Sequence, residues 1–95
     1  MIILCVYDIS VENKGESRLR KIAKYCENVG IRIQNSVFEI NCTPAEYIKI
    51  KYELSFLIDY DYDTIRLYNL GRDASNKIES IGLEPKLDTN KDFII

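Results

Sequence analysis

The chain has 95 residues, of which 46% are hydrophobic, a length and composition that predict one small globular domain and argue against disorder. Its formal net charge is −2, but the charges are distributed unevenly along the chain. The stretch from Lys14 to Arg32 holds six cations against two acids, and the chain from Tyr52 onward holds nine acids against five cations. One basic edge can bind phosphates even though the whole chain is acidic. Most charge runs of this kind, however, are simply helix faces exposed to water.

The first residues form an apolar run from Ile2 to Tyr7 that ends at Asp8. The run has no basic flank and is too short to cross a bilayer, so we expect neither a signal peptide nor a membrane partner. It lacks alternation, which predicts a strand covered on both faces. Residues 2–10 contain no second acid and no lysine that could pair with Asp8. A single acid at a strand end is usually a cap or a solvated turn residue.

A helix is predicted over residues 14–29, with Asn13 and Glu16 as a capping box and Gly30 in the left-handed position that follows a helix. Its apolar stripe consists of Leu19, Ile22, Ala23, Cys26 and Val29. Arg18, Lys21 and Lys24 are predicted on its other faces. The helix would therefore present cations on the faces that turn away from the core.

The next predicted strand changes the parity of its apolar positions. Ile31 and Ile33 are odd, whereas Phe38 and Ile40 are even. Because alternate residues of a strand face opposite ways, the pattern predicts one strand with a bulge or bend at residues 34–36.

The segment Thr43-Pro44-Ala45-Glu46 predicts the start of a second helix, with threonine as N-cap, proline next and glutamate at the third position. We expect this helix to end near Ile58. Its buried face is predicted to consist of Tyr47, Ile50, Leu54, Leu57 and Ile58.

An acidic turn over residues 59–63 follows, in which alternate aspartates imitate the first ligands of a calcium loop. Thr64 and Leu70 occupy the positions where that loop needs glycine and glutamate, so we reject it.

A third strand is predicted over residues 64–70 and a weaker one over residues 77–81. The domain should comprise residues 1–82. Residues 83–95 should be a linker and a C-terminal strand, Phe93-Ile94-Ile95, that pairs with a partner protomer.

The three cysteines, Cys5, Cys26 and Cys42, lie within apolar patterns. Their odd number favours reduced, buried thiols in a cytoplasmic protein. Without histidine or a C-x-x-C pair, the chain lacks the usual ligands of a zinc site.

This order of elements predicts an α+β fold, the ferredoxin-like split βαβ sandwich, with an antiparallel sheet and two helices on one face. That arrangement leaves the other face of the sheet exposed, although the first strand has the sequence of a strand that is covered on both faces. A second copy of the sheet is the simplest cover, so we expect a homodimer packed through its sheets.

Several motifs resemble the CRISPR-associated protein 2 family over about residues 1–81. They are Tyr7-Asp8-Ile9-Ser10, the arginines Arg18 and Arg20, Gly30, the Arg32 to Glu39 segment with its R-x-Q-x-S-V-F-E pattern, and the Asp63 to Tyr68 segment. The resemblance implies a cytoplasmic, ferredoxin-like homodimer that acts in spacer acquisition, where it bridges dimers of the CRISPR integrase on duplex DNA. Some family members have been assigned metal-dependent endoribonuclease or DNase activity, and others act without it.

The resemblance also implies roles for individual residues. Asp8 and Tyr7 would be catalytic, and the two Asp8 carboxylates of a dimer would hold Mg²⁺, or Mn²⁺, which would activate a water for phosphodiester hydrolysis. The nucleic-acid-binding set implied in this way consists of Arg18, Arg20 and Arg32, to which the charge distribution adds Lys21 and Lys24. Ser36 and Phe38 would support the site, although Phe38 also has the parity of a core residue.

The sequence therefore predicts a CRISPR adaptation protein that binds duplex nucleic acid. It leaves open whether the protein is a magnesium-dependent endonuclease acting on DNA or RNA, or a non-catalytic architectural bridge for the integrase. A further alternative is an unrelated ferredoxin-like dimer, such as a toxin-type ribonuclease or a small-ligand sensor.

Overall fold

The computed structural model describes residues 1–83, which form one antiparallel sheet with two helices. In chain order the elements are β1 (Ile2–Asp8), α1 (Gly15–Val29), β2 (Ile31–Gln34), β3 (Val37–Asn41), α2 (Pro44–Ser55), β4 (Thr64–Gly71) and a 3-10 helix (Ala74–Lys77). The strand order is β2-β3-β1-β4, and every neighbouring pair is antiparallel. This is the predicted split βαβ sandwich, so the fold class is confirmed. The predicted C-terminal strand lies outside the described residues.

The central strand β1 alternates between the two faces of the sheet. Ile3, Cys5 and Tyr7 are buried, whereas Leu4 and Val6 on the opposite face are only half-buried. Within the single chain, β1 is therefore covered on one face, and the expected cover of its other face by a second copy stays a prediction. The sheet has one packed face and one open apolar face.

The core lies between the packed face of the sheet and the two helices. Its largest fully buried side chains are Phe38, Ile3, Ile22, Ile40, Cys5 and Cys26, joined from α2 by Ile50 and Leu54. Of the predicted stripe on α1, Leu19 is 41% exposed and lies at the rim. The three cysteines are buried and free, as predicted.

The predicted capping box of α1 is wrong. Asn13 and Lys14 both have positive φ, 54° and 63°, and no side chain caps the helix, which begins at Gly15. A Cβ on Gly15 would lie 1.7 Å from the carbonyl oxygen of Ser10, so this close approach requires glycine. At the other end, Gly30 follows α1 as predicted, but its φ of −154° is extended and not left-handed.

The change of parity after Gly30 marks a hairpin and not a bulge within one strand. β2 ends at Gln34, the chain turns at Asn35 and Ser36, and β3 begins at Val37. A register shift between Arg32 and Gln34 accompanies this turn. The single predicted strand is therefore two antiparallel strands.

The start of α2 is confirmed in detail. The hydroxyl oxygen of Thr43 accepts a hydrogen bond from the backbone N–H of Glu46 at 3.1 Å, and the Glu46 carboxylate accepts one from the backbone N–H of Thr43 at 2.8 Å. The helix ends at Ser55, three residues earlier than predicted. No helix of the described residues is long and apolar enough to cross a membrane.

The last predicted element of the domain is wrong. In place of a strand over residues 77–81, the structure has the 3-10 helix up to Lys77, and residues 78–83 are not in a strand. The Lys77 ammonium donates to the carbonyl oxygen of Leu70 at 2.8 Å and holds this segment against the end of β4.

Candidate functional site

Asp8 is the last residue of β1 and faces the open side of the sheet. It follows Leu4 and Val6 at the two-residue spacing of one strand face, and it pairs with Thr64 of β4. The residue is exposed, and its carboxylate has no hydrogen bond or ion pair within residues 1–83. A free acid therefore stands at the end of the apolar stripe of β1.

Tyr7 points the other way, into the core. It is 3% exposed, its ring stacks on Phe38 with 6.1 Å between centroids, and its hydroxyl donates to the carbonyl oxygen of Asn35 at 3.1 Å. Burial, with smaller contributions from nearby charges, raises the pKa of Tyr7 to about 12. The phenol is therefore neutral near pH 7, and its hydroxyl ties β1 to the β2–β3 turn.

Arg18, in the first turn of α1, forms a two-pronged ion pair with Asp63, the residue before β4. Its Nε donates to Oδ2 at 2.6 Å and its Nη2 donates to Oδ1 at 3.1 Å. Nη1 and Nη2 also donate to the carbonyl oxygens of Asn13 and Glu12. We call Arg18 and Asp63 the latch. The side chain of Arg18 is only 14% exposed, and its donors point into the chain.

Asp63 accepts hydrogen bonds from three parts of the chain. Besides Arg18, the backbone N–H of Ser10 donates to it at 3.0 Å and that of Asp59 at 2.8 Å. The Arg18 hydrogen bonds, and to a lesser extent these backbone donors, hold the pKa of Asp63 below its usual value despite burial. Since Ser10 lies two residues beyond Asp8, the latch fixes the path of the chain directly after the candidate acid.

The sequence interpretation missed this role of Asp63, which it treated as part of an acidic turn and as the first residue of the motif over residues 63–68. Forty-five residues separate it from Arg18. The one available signal was its place directly before a strand. Asp59 also has its own partners, since it accepts from the amide of Asn13 at 2.8 Å and from the backbone of Asp61 at 2.9 Å.

Arg32 lies on the packed side of the sheet, near Tyr7. Its Nη2 donates to the Glu27 carboxylate at 2.9 Å, and its guanidinium lies 5.0 Å from the centroid of the Phe38 ring. Phe38 itself is fully buried, as its parity indicated. Ser36 contributes its carbonyl oxygen, which accepts from the Tyr7 N–H at 3.0 Å. Arg32 and Ser36 therefore belong to the surroundings of Tyr7 rather than of Asp8.

The three remaining predicted cations share the outer face of α1. Arg20, Lys21 and Lys24 are exposed, whereas Ile22 and Cys26 of the same helix are buried. Within residues 1–83, none of the three side chains forms an ion pair. Their long side chains are free to bind phosphate, because no acid of the described residues neutralises them.

No group of three or more metal-ligating side chains is found within residues 1–83. Within these residues, Asp8 is therefore not part of a cluster that could by itself supply three protein ligands to a metal ion.

Comparison with known proteins assigns the family. The family model described as CRISPR associated protein Cas2 matches residues 1–78. A protein of Halalkalibacterium halodurans named CRISPR-associated endonuclease Cas2 is 41% identical over 95 residues, which cover 99% of each chain. A Nitratidesulfovibrio vulgaris protein named CRISPR-associated endoribonuclease Cas2 is 41% identical over 96 residues, 100% of this chain and 94% of that one.

The solved structures agree. The crystal structure of Streptococcus pyogenes Cas2 at pH 6.5 superposes with a TM-score of 0.74 and 44% identity, covering 86% of this chain and 100% of that chain. The fold, the motifs and these similarities lead to one conclusion: the chain belongs to the CRISPR-associated Cas2 family.

Proposed function

We propose that the protein is a cytoplasmic, nucleic-acid-binding component of CRISPR adaptation, and that its homodimer holds a divalent cation between two Asp8 carboxylates and hydrolyses phosphodiester bonds there. The observation that carries the proposal is the position of Asp8, an exposed and unpaired acid at the end of an open apolar sheet face. The names endonuclease and endoribonuclease of similar proteins support the type of reaction.

The open face of the sheet supports the dimer. Leu4, Val6 and Val37 are half-buried there, although no other layer of the chain covers this side within residues 1–83. Glu39 lies opposite Leu4 and Arg66 lies opposite Val6, so the same face carries both signs of charge. A two-fold axis through this face would bury the apolar residues and could pair the charges across the interface.

Two Asp8 side chains close to such an axis suit a hard cation. Magnesium takes few carboxylates and keeps several waters, so one acid from each chain is a sufficient protein contribution, and manganese has similar ligand preferences. When bound, the cation would neutralise the two carboxylates and supply Lewis-acid activation of water. Asp8 would hold it, and the latch would keep the chain that follows Asp8 in place.

Other residues have separate tasks in this proposal. Arg20, Lys21 and Lys24 would bind the phosphate backbone at the outer face of α1, which gives affinity without sequence specificity. Tyr7 stays protonated and positions β1 through its hydrogen bond to Asn35. Arg18 acts through Asp63 and not through phosphate.

Cleavage of end-labelled duplex DNA and single-stranded RNA, in Mg²⁺, Mn²⁺ or EDTA, tests the catalytic part. The parent should cleave only with metal, and Asp8→Asn should fall to the EDTA background, because the neutral amide removes the charge that would hold the cation. Asp61→Asn, which changes an exposed acid elsewhere, should behave as the parent. Metal-dependent cleavage that persists in Asp8→Asn would rule out the proposed centre.

Sedimentation of the same preparations at micromolar concentration tests the assembly. The parent should have the mass of two chains, and Val6→Lys should sediment as one. A parent that sediments as a monomer would overturn the shared site whatever the cleavage result.

One observation favours the second candidate function, a non-catalytic bridge for the CRISPR integrase. Each chain offers one acid at the site, and the sequence has no histidine to act as acid or base. If the bridge is the biological role, Asp8→Asn combined with the integrase should still insert duplex DNA into a repeat-containing target. Loss of insertion in Asp8→Asn, with dimer and duplex binding intact, would instead favour the catalytic role.

A further inference from the structure

The open sheet face carries a carboxylate among apolar side chains. Glu39 of β3 is half-buried and stands in register between Leu4 of β1 and Ile31 of β2. Within residues 1–83, its carboxylate has no hydrogen bond or ion pair. Since a partly buried charge is costly without a counter-charge, Glu39 would be stabilised by a cation that this part of the chain does not supply.

Arg66 of β4 is a cation of the same face, on the other side of β1. It is exposed and also forms no ion pair with the described part of the chain. Its guanidinium lies 5.4 Å from the centroid of the Tyr68 ring, and Tyr68 lies opposite Leu4. The guanidinium therefore reaches the level of Leu4, the same level at which Glu39 stands.

The two charges do not meet within one chain. Neighbouring strands lie about 4.8 Å apart, so the backbones of β3 and β4, with β1 between them, are about 10 Å apart. Leu4 stands between the two charges on the same face. Glu39 and Arg66 therefore form a row with Leu4 at its centre, one charge on each side.

The proposed dimer restricts how a second sheet can lie on this row. Asp8 is at the end of β1, so a two-fold axis across the strands at its level would stack only the ends of the two sheets. An axis that runs along β1 brings the two Asp8 carboxylates together and stacks both sheets over their full length. It also places β3 of each protomer over β4 of its partner.

We propose that the homodimer forms about a two-fold axis parallel to β1, and that Glu39 of each protomer pairs with the partner's Arg66. This inference rests on the proposed Asp8 dimer and adds its orientation and its charge contacts. On that axis Leu4 faces the partner's Leu4, and two symmetrical ion pairs flank this apolar contact.

Complementary charge favours a second copy in this orientation. The axis along β1 sets an acid against an arginine twice, whereas an axis across the strands at Leu4 would set Glu39 against the partner's Glu39. Like charges that face each other across an interface cost several kcal/mol, and opposite charges fix the register. The row therefore selects one of the two ways in which the sheets can stack.

Charge reversal in the full chain tests the pairing. Glu39→Arg alone and Arg66→Glu alone each set like charges against one another twice, so each should weaken self-association by about a hundredfold or more. In an equimolar mixture of the two variants, a heterodimer regains both contacts between opposite charges. The mixture should therefore associate within about tenfold of the parent. Sedimentation equilibrium measures the dissociation constants, and native mass spectrometry identifies the heterodimer by its mass.

A double variant keeps the test decisive if a single reversal fails to fold. Glu39→Arg with Arg66→Glu in one chain should form homodimers, but it should form no heterodimers with the parent, since each mixed contact would join like charges. The matched controls are Glu16→Arg and Lys51→Glu, which reverse exposed charges on the helices and should self-associate as the parent does. Circular dichroism checks that each variant is folded.

The outcomes separate this inference from the proposed dimer. A monomeric parent would overturn both. A dimeric parent whose single reversals also dimerise normally would overturn the pairing and keep the dimer. Two monomeric single variants that do not associate when mixed would overturn it too, because each charge would then have a different partner. Asp8 is unchanged in every variant, so cleavage by Asp8→Asn tests the metal site independently.

Discussion

At the scale of single residues, the Asp63 carboxylate fixes the backbone next to the candidate acid Asp8. It accepts hydrogen bonds from Arg18, Ser10 and Asp59, and so ties the loop after β1 to α1 and to the turn before β4. Arg18, to which the resemblance assigned nucleic-acid binding, therefore supports the site from inside the chain. Asp8 is exposed, but the backbone after it is held from the buried side.

We expect Asp63→Asn to lower the free energy of unfolding by about 2 kcal/mol, since hydrogen bonds to charged groups contribute about 1.5–3 kcal/mol. The amide keeps the shape but leaves the Arg18 guanidinium without its counter-charge. Urea unfolding followed by circular dichroism measures the change. Asp61→Asn is the matched control, because Asp61 is exposed. A stability equal to that of the parent would mean that the latch is incidental.

The latch also predicts how stability depends on pH. The Arg18 hydrogen bonds hold the pKa of Asp63 below its ordinary value of about 3.9. The stabilisation is therefore complete above that value and is lost as the pH falls through the pKa of the folded state. The stability difference between the parent and Asp63→Asn should be constant from about pH 5 to 7 and shrink below about pH 4. Urea unfolding at each pH measures it, and a difference that grows in acid would contradict the assignment.

At the scale of elements, the start of a helix is predicted correctly when the capping residues lie within the segment itself. Thr43-Pro44-Ala45-Glu46 contains both halves of a capping box, and α2 begins where the pattern places it. The start of α1 depends on contacts with distant parts of the chain, because Gly15 packs against Ser10 and the latch holds the loop before the helix. Local sequence could not show this, since Asp63 is remote in the chain. The hairpin was missed for a different reason: Asn35-Ser36 lacks the glycine that usually marks a two-residue turn.

Gly30 joins α1 to β2 where the chain passes close to β3. A Cβ at this position would lie 2.6 Å from the carbonyl oxygen of Glu39 and 2.8 Å from Cγ1 of Ile40. We expect Gly30→Ala to cost about 1–3 kcal/mol of stability, because the backbone must shift to relieve the overlap. Urea unfolding measures the loss, with the exposed Asn28→Ala of the same helix as control. An unchanged stability would mean that α1 can move away from β3 at no cost.

At the scale of the whole molecule, the two sides of the sheet have different tasks. The packed side, with its helices, accounts for stability, and the buried faces of the helices were predictable from the periodicity of α1 and α2. The open side carries Asp8 beside Leu4 and Val6, and in the proposed homodimer a second chain would cover it. Sequence predicted that such a cover is needed, but a single chain contains only half of the proposed site.

The outer face of α1 leads to the last prediction, the salt dependence of nucleic-acid binding. Arg20, Lys21 and Lys24 are exposed cations without an ion pair within residues 1–83. Each phosphate that they neutralise should release about one counterion, so duplex affinity should fall steeply with salt. Replacing all three with alanine should reduce the slope of log K against log salt by about 3 per chain, equally for unrelated duplexes.

Fluorescence anisotropy over a series of salt concentrations measures this slope. Lys49→Ala with Lys51→Ala, which removes lysines from α2, is the control and should leave the slope unchanged. Arg18 is left intact in both variants, because its loss would disturb the latch and confuse a folding effect with a binding effect. If the triple variant keeps the slope of the parent, the cations of α1 are only a solvated face, and duplex binding would have to use other cations of the chain.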